Sequence, residues 1–388
     1  MMIPYGRQSI SQGDIDQVVQ VLQSDYLTQG PVTPRFEATV AAYCGAAHAL
    51  ATNSATAALH VGCLALGVGP GDRVWTSPIT FVASANCALY CGADVDFVDI
   101  NPRTYNMSVA CLADKLRQAR QDGTLPKVVI PVHMCGQSCE MEDIHALSQE
   151  YGFRILEDAS HAIGGHYLGQ PVGNCRFSDI TVFSFHPVKI ITTGEGGMAL
   201  TNDPVLANLI RQYRSHGITN DHSEMGPRDA DEIWNYQQIR LGYNYRMPDI
   251  QAALGLSQMG RLNEFVRARH KIAAVYDQAL SELPLTLPFQ HACTFSSYHL
   301  YPIQVDREQC SKGQRTIYQQ LHHAGIQVNL HYIPVYRQPF FEGMGFRAGY
   351  CPESERYYRV TLSLPMYPTL SAAQQQQVIC ALKEALTP

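Results

Sequence analysis

One lysine in apolar surroundings is the residue of this chain best suited to covalent chemistry. Lys189 lies between Val188 and Ile190, after a β-rich run at 179–185 and before a glycine-rich turn at 194–197. Burial disfavours the ammonium form of a lysine, and the neutral amine can add to a carbonyl, as Schiff-base catalysis requires. Most lysines are solvated. With only 28 lysines and arginines among 388 residues, however, this stretch does not resemble a charged surface, and we predict that Lys189 is reactive.

An acidic residue at the end of an apolar strand is the second candidate for chemistry. The run 154–158 is predicted to be a strand that ends in Asp158, with His161 three residues later. A carboxylate at this position often only caps the following helix, and a lone histidine is more often structural than catalytic. The residues by themselves leave both interpretations open.

A candidate anion site lies at 53–60, where small and capping residues lead into an apolar helix. The first amides of a helix have no partner within it, and with the helix dipole they attract phosphate. Ala55 and Thr56 would supply such amides. Because most capping residues serve only their own helix, the signal is weak by itself.

These residues need a scaffold, and the sequence predicts one of α/β class. Strand and helix patterns alternate from 47 to 201, which favours a mostly parallel sheet flanked by helices, with ligands at the carboxyl ends of its strands. A long helical pattern from 248 to about 283 is expected to lead into a smaller domain, where 299–305 and 326–330 resemble strands. We expect an N-terminal arm and large domain at 1–255 and a small C-terminal domain at 256–388. A nicotinamide dehydrogenase would also alternate in this way, but the G-x-G-x-x-G spacing is missing at the turn 67–72.

Composition excludes several other classes of protein. A net charge of −6 provides no basic surface for nucleic acid or anionic membrane. No apolar run is long enough to span a bilayer and the N-terminus has no leader pattern, so a cytoplasmic location is expected.

The 12 cysteines are scattered, which suits buried thiols in a reducing compartment. No metal site is predicted, because the pairs Cys87/Cys91 and Cys135/Cys139 lack a second close pair of ligands.

The lysine segment 184–197 resembles the pyridoxal-phosphate segment of the DegT/DnrJ/EryC1/StrS sugar aminotransferases. The segments 242–255, 328–335 and 361–368 are similar to further motifs of that family, so the resemblance covers nearly the whole chain. It implies a PLP-dependent transferase of fold type I, like aspartate aminotransferase. Such a fold has a large domain with a mostly parallel mixed sheet and a smaller C-terminal α+β domain. The implied cofactor is pyridoxal 5'-phosphate.

The resemblance also implies roles for individual residues. Lys189 would hold the cofactor and move the proton, and Asp158 would pair with the pyridine nitrogen. The family pattern also implies that Phe81 stacks on the pyridine ring and that His161 reaches the cofactor's 3′-oxygen. It implies phosphate contacts from Ala55, Thr56 and Ser184, and from Asn244 of a neighbouring subunit. The last contact implies a homodimer with shared active sites.

The opening residues and three loops look like the subgroup on the route to pseudaminic acid; they lie at 3–8, 27–31, 77–81 and 87–93. That likeness implies L-glutamate as amino donor and a UDP-linked 4-keto-6-deoxy-N-acetylhexosamine as acceptor. Substrate contacts are expected from Tyr5, Arg7, Thr28 and His331. A different nucleotide-linked ketosugar remains an alternative. A sugar dehydratase is a second one, although family members with that activity replace the lysine with histidine.

Overall fold

The computed structural model describes residues 2–229, 231–233 and 235–387. Strands and helices alternate as predicted over residues 48–158, and strands then follow one another directly up to residue 201. The helices are α1 Gln12–Leu22, α2 Val32–Cys44, α3 Ala55–Ala65, α4 Ala83–Tyr90, α5 Val109–Asp122, α6 Met141–Tyr151, α7 Pro204–Tyr213, α8 Asp249–Met259, α9 Leu262–Leu280, α10 Gln314–His323, α11 Pro339–Gly343, α12 Pro352–Val360 and α13 Ala372–Leu386. The strands are β1 His48–Thr52, β2 Arg73–Thr76, β3 Asp94–Phe97, β4 Val128–Ile130, β5 Arg154–Asp158, β6 His166–Tyr167, β7 Gln170–Pro171, β8 Ile180–Ser184, β9 Gly197–Thr201, β10 Ile218–Thr219, β11 Gln237–Gln238, β12 Leu285–Thr286, β13 Thr294–Phe295, β14 Tyr301–Val305 and β15 Thr361–Leu364.

A seven-stranded sheet forms the centre of the large domain, in the order β1-β9-β8-β5-β4-β2-β3. Neighbouring strands from β8 to β3 are parallel, whereas β9 runs antiparallel to both β8 and β1. The central strands are apolar and buried because helices pack on both faces, which is why they read as continuous hydrophobic runs. This confirms the predicted α/β class with a mostly parallel mixed sheet.

The register of this sheet brings three distant segments to one edge. Gly197, the first residue of β9, pairs with Ser184 at the end of β8 and with Thr52 at the end of β1. Helix α3 begins three residues after Thr52. The carboxyl end of β5, with Asp158, lies beside β8. The candidate phosphate seat, the lysine loop and the acidic residue therefore meet at the edge where ligands bind in α/β sheets.

The C-terminal part of the chain has an antiparallel sheet of β12, β14 and β15. Apolar residues of α9, α10 and α13 pack on it in a separate buried cluster. The N-terminus joins this cluster through Ile3, which is buried and pairs with Ile326. Tyr5 follows directly and is held where its carbonyl accepts from the Met366 amide, at 2.9 Å. The arm therefore packs against the smaller sheet.

The predicted long helix at 248–283 was wrong as a single element. It is two helices, α8 and α9, separated at Gly260 and Arg261. Glycine has a low helix propensity, and the break lets α8 pack on α1 and α2 while α9 reaches the smaller sheet. The predicted strand at 326–330 was also wrong, since Ile326 and Asn329 form only isolated bridges.

The domain boundary at 255/256 stays a prediction. Apolar contacts connect the two parts of the chain on either side of it. The start of α9 packs into the large-domain core through Leu262, Phe265 and Val266, whereas its end packs on the smaller sheet. The segment with Tyr336 and Phe341 returns to the large-domain core. None of the described helices is both long and apolar enough to cross a membrane.

Candidate active site

A cavity of about 920 Å³ opens at the carboxyl edge of the large sheet, between that sheet and the C-terminal part. It brings together nine of the twelve residues that were predicted for the site. These are Tyr5, Ala55, Thr56, Phe81, Asp158, His161, Ser184, Lys189 and His331. They come from the N-terminal arm, four separate loops of the large domain and one segment of the small domain, so only folding places them side by side.

Lys189 lies in the connection between β8 and β9. Hydrogen bonds hold this connection: the Thr193 amide donates to the Phe185 carbonyl at 3.0 Å and the Thr192 hydroxyl donates to the same carbonyl at 2.9 Å. Lys189 is half-buried and lines the cavity. Burial lowers its pKa to about 8, against the opposing attraction of the Asp158 carboxylate. A substantial fraction of its amine is therefore neutral near neutral pH, as the sequence interpretation required.

Asp158 is buried at the end of β5 and makes two hydrogen bonds within the chain. Its Oδ2 accepts from the Ser84 hydroxyl at 2.6 Å, and its Oδ1 accepts from the Ser160 amide at 3.1 Å. Because it also lines the cavity, the carboxylate is held in one orientation with capacity to accept further bonds. The Ser160 contact is the capping-type interaction that the sequence had left open, but it accounts for only one of the two oxygens.

The start of α3 forms the expected anion seat. Ser54 caps the helix by accepting from the Ala57 amide at 3.1 Å, while Ala55 and Thr56 occupy the first turn and line the cavity. First-turn amides have no intrahelical acceptor, and within the part of the chain that the structure describes no cap or loop group accepts from these two. The buried hydroxyl of Ser184 lines the same side. Backbone donors and a hydroxyl therefore converge where a phosphate group would fit.

Three buried histidines line the cavity on the side of the small domain: His161, His299 and His331. Burial lowers the pKa of His161 and His299 well below the usual value, and that of His331 to about 3, so all three are neutral at physiological pH. Lys189 adds repulsion in each case. His331 is oriented by Ser363, whose hydroxyl lies 2.9 Å from Nδ1. The Nδ1 atom of His161 is buried without a partner among the described residues, which leaves it available to a ligand.

Comparison with known proteins agrees with this geometry. The model of the DegT/DnrJ/EryC1/StrS aminotransferase family matches residues 8–383. The chain belongs to this aminotransferase family. It is 38% identical over 385 residues to the spore coat polysaccharide biosynthesis protein SpsC of Bacillus subtilis, covering 98% of this chain and 96% of that protein.

Two further relatives carry names that describe an activity. The UDP-4-amino-4,6-dideoxy-N-acetyl-beta-L-altrosamine transaminase of Campylobacter jejuni (serotype O:23/36) is 36% identical over 375 residues, covering 95% of this chain and 94% of that protein. The structure of Helicobacter pylori PseC, an aminotransferase involved in the biosynthesis of pseudoaminic acid, superposes with a TM-score of 0.89 at 30% identity. That superposition covers 100% of this chain and 99% of PseC.

Pyridoxal phosphate is the cofactor of this aminotransferase family, and structures of relatives include a pyridoxal-phosphate form. The residues of this chain fit that cofactor. The α3 amides and Ser184 suit its phosphate, Lys189 suits its aldehyde, and the cavity-facing carboxylate of Asp158 suits its ring nitrogen. The unpartnered Nδ1 of His161 is a further polar atom that the cofactor could satisfy.

Three predicted residues do not line this cavity within one chain. Arg7 and Thr28 are exposed outside it, in the arm and in the loop after α1. Asn244 is also exposed, and its backbone carbonyl accepts from the side-chain Nδ2 of Asn53 at 3.4 Å. Their roles stay predictions. Phe81 lines the cavity and is 59% exposed, so its ring is available to stack on a bound ligand.

The sequence interpretation missed several polar residues of this aminotransferase site: Ser84, His299, Asn329 and Tyr332. Ser84 lies in a helix start that the sequence marked only as a loop opening a helix, and no spacing relates it to Asp158, 74 positions away. Tyr332 lies within the family-like segment 328–335, which was noticed without a role for the tyrosine. Its hydroxyl lies 3.3 Å from Nε2 of His161. That motif was the only signal that could have pointed to it.

Gly197 is predicted to be irreplaceable for the shape of the phosphate seat. A Cβ on Gly197 would lie 2.5 Å from the Ala55 nitrogen and from the Ser54 carbonyl group, all backbone atoms at the start of α3. Gly197→Ala should therefore displace that helix start, costing about 1–3 kcal/mol of folding stability. The affinity for pyridoxal phosphate should also fall, about tenfold for each 1.4 kcal/mol of binding free energy that is lost.

Thermal unfolding and titration of the apoenzyme with pyridoxal phosphate measure the two effects of Gly197→Ala. Gly69→Ala is the matched control, because no atom lies within 4 Å of a Cβ there and its backbone φ is not positive. Equal cofactor affinity in the Gly197→Ala and wild-type proteins would contradict this assignment of the seat.

Acid should destabilise the enzyme through the buried histidines. A histidine whose pKa is lowered by folding binds its proton more readily in the unfolded chain, so stability is lost as pH falls below the unfolded value of about 6.5. Between pH 6.5 and 5 each such residue should cost about 2 kcal/mol. His299→Asn should therefore show a smaller loss than the wild type, by about that amount.

Urea unfolding of holoenzyme at pH 6.5 and 5 tests this pH dependence. His323→Asn, on the exposed face of α10, is the control and should lose as much stability as the wild type. If His299→Asn and the wild type lose the same free energy of unfolding between pH 6.5 and 5, His299 does not contribute to the destabilisation by acid.

Proposed function

We propose that this chain transfers an amino group from L-glutamate to C4 of a UDP-linked 4-keto-6-deoxy-N-acetylhexosamine. The product would be UDP-4-amino-4,6-dideoxy-N-acetyl-β-L-altrosamine, a step toward pseudaminic acid. The observation that carries the aminotransferase activity is the meeting of Lys189, with its lowered pKa, and Asp158 at one cavity. The choice of sugar is supported by the names of the Campylobacter and Helicobacter relatives.

Bound pyridoxal phosphate supplies an electron sink that stabilises the charge left when a proton is removed from carbon. The chain then has to move that proton. Lys189 Nζ is suited to this as general base and acid, because its pKa of about 8 keeps both protonation states populated near neutral pH. Because it is anchored in the β8–β9 connection, Lys189 would already be beside the bound cofactor, so the entropy cost of bringing a base there would be avoided.

The other residues of the site position and enclose the reactants. Asp158 would face the ring nitrogen of the bound cofactor, where a carboxylate favours the protonated nitrogen. The α3 amides and Ser184 would hold the phosphate end, and Phe81 would cover one face of the ring. Tyr5 and His331 extend the cavity toward the small domain, with ring centroids 5.3 Å apart, and would contact the sugar or the donor.

A homodimer with shared active sites belongs to the same proposal. The exposed position of Asn244, outside the cavity of its own chain, is consistent with a contact across the interface to the phosphate in the partner subunit. The cytoplasmic location expected from the sequence is likewise part of the proposal.

A different nucleotide-linked ketosugar is the second candidate acceptor. The Bacillus relative, whose name refers to spore coat polysaccharide, is 38% identical, against 36% for the Campylobacter transaminase. The two identities do not separate the candidate sugars. Sugar dehydration is disfavoured. Family members with that activity replace the lysine with histidine, whereas this chain has Lys189 in the cavity.

Mass spectrometry of the sugar nucleotide tests the proposal. Purified protein, pyridoxal phosphate and L-glutamate are mixed with the UDP-4-keto sugar made by an inverting dehydratase. Conversion of the ketone to an amine with release of 2-oxoglutarate is expected. If glutamate changes the cofactor spectrum but no amino sugar forms, the acceptor is another ketosugar. No spectral change and no product would contradict glutamate-dependent transamination.

A further inference from the structure

A chain of buried hydroxyl groups lies behind Asp158. The hydroxyls of Thr80 and Ser84 are 2.8 Å apart, and the Ser84 hydroxyl donates to Asp158 Oδ2 at 2.6 Å. Thr80, Ser84 and Asp158 are 3%, 0% and 5% exposed, so water cannot readily replace any of these bonds. Neither the sequence patterns nor the family motifs quoted above assigned a role to the two hydroxyls.

The direction of each bond follows from the number of protons. Ser84 has one hydroxyl proton, and its possible acceptors are the Asp158 carboxylate at 2.6 Å, the Thr80 hydroxyl at 2.8 Å and the Phe81 carbonyl at 3.3 Å. The shortest, charge-assisted bond is the strongest one. Because that bond uses the Ser84 proton, Thr80 must donate to Ser84. The three side chains therefore form a directed relay that ends on the carboxylate.

We propose that Ser84, supported by Thr80, is a positioning residue that fixes the Asp158 carboxylate toward the cofactor. The inference rests on the proposed role of Asp158 as partner of the ring nitrogen. A donor on Oδ2 from Ser84 and one on Oδ1 from Ser160 fix the plane of the carboxylate and leave each oxygen a free lone pair. Donors to a carboxylate favour its ionised form, and bonds in series strengthen one another.

The same turn also connects the carboxylate to the face of the cavity. The amide and the hydroxyl of Ser84 both lie 3.3 Å from the Phe81 carbonyl. Phe81 is the aromatic residue expected to cover the cofactor ring. One turn at the start of α4 therefore positions both the Phe81 ring and the Asp158 carboxylate. The hydroxyl of Ser84 connects these two residues instead of only capping the helix.

Spectral titration of holoenzyme without substrates tests the inference. We expect Ser84→Ala to shift the pH dependence of the visible spectrum of bound pyridoxal phosphate, in the same direction as Asp158→Asn. It should also lower kcat about 10- to 100-fold with a small change in KM for the acceptor. Thr80→Val should give a smaller effect of the same kind, and Thr80→Ser should restore the wild-type values.

Two controls separate positioning from general loss of stability. Thr201→Val removes a buried hydroxyl that donates to the Asp179 carbonyl at 2.7 Å, so it should lower the melting temperature without changing the spectral titration. In an Asp158→Asn background the Ser84→Ala substitution should have almost no further spectral effect, because its target charge is gone.

The inference is overturned if the spectrum of the Ser84→Ala protein has the same pH dependence as that of the wild type. It is also overturned if Ser84→Ala has an undiminished effect in the Asp158→Asn background. Should Ser84→Ala fail to fold, Thr80→Val decides, and an unchanged titration in that variant overturns the inference. Because the titration uses no ketosugar, a spectral shift in an enzyme that rejects the proposed acceptor would support the Ser84 assignment while contradicting the proposed substrate.

Discussion

Lys189→Ala is expected to lower transamination by at least about 10⁴-fold, the scale of losing a group that is both covalent anchor and general base. In the wild type, borohydride reduction should fix pyridoxal phosphate on the peptide that carries Lys189. In the variant no peptide should carry it. The lowered pKa of Lys189, about 8, gives this lysine a neutral fraction at pH 7 about 300-fold greater than that of an unperturbed lysine.

Peptide mass spectrometry after reduction and initial rates with L-glutamate measure the two effects of Lys189→Ala. Lys383→Ala, on the exposed surface of α13, is the control and should keep both the labelled Lys189 peptide and the wild-type rate. Cofactor fixed on another lysine at undiminished rate in the Lys189→Ala protein would remove the basis of the proposed function.

Asp158→Asn should lower kcat about 10²- to 10³-fold, the effect of removing one preorganised charge from an enclosed site. The fold should be retained, because asparagine has the same shape and its single side-chain oxygen can still accept the short bond from Ser84, while the bond from the Ser160 amide is lost. The substitution also removes the attraction that partly raises the pKa of Lys189. The midpoint for trapping pyridoxal phosphate on that lysine should therefore move below about pH 8.

Steady-state rates, thermal unfolding and the pH dependence of borohydride trapping test the Asp158→Asn expectations. Asp72→Asn, which breaks a surface ion pair with Lys127, serves as the control for loss of a carboxylate outside the site. If Asp158→Asn keeps the wild-type kcat, or if trapping shifts to higher pH, the proposed pairing of this carboxylate is wrong.

The sequence predicted the elements that have strong local signals. Residues 11–14 resemble a helix-capping sequence, and in the structure Ser11 and Asp14 form a capping box at the start of α1. The apolar run 73–76 lies between turn residues and so has few alternatives to a strand; it is strand β2 with the same bounds. The helix at 248–283 was over-extended, since α8 and α9 have similar helical spacing and only packing decides that the chain bends at Gly260.

The candidate site shows the same division. Lys189, Asp158 and the start of α3 could be recognised because each carries a local pattern: an isolated lysine among apolar residues, a strand-end acid and a small-residue helix start. Arg7 and Thr28 were inferred from loop similarity alone, and the structure places them outside the cavity of their own chain. Loops carry no periodicity, so their side chains cannot be positioned before the scaffold is known.

The sequence by itself therefore determined the fold class and the family and singled out Lys189 as the candidate reactive lysine, because repeated hydrophobic spacing and contiguous motifs depend on neighbours in the chain. The tertiary structure decided which residues from distant parts of the chain lie next to each other in the site. The register that pairs Gly197 with Ser184 and Thr52 brings the phosphate seat to the lysine. The packing of α4 on the sheet brings Ser84 to Asp158. Contacts between residues so far apart in the chain depend on strand order and helix packing, which leave no local pattern in the sequence.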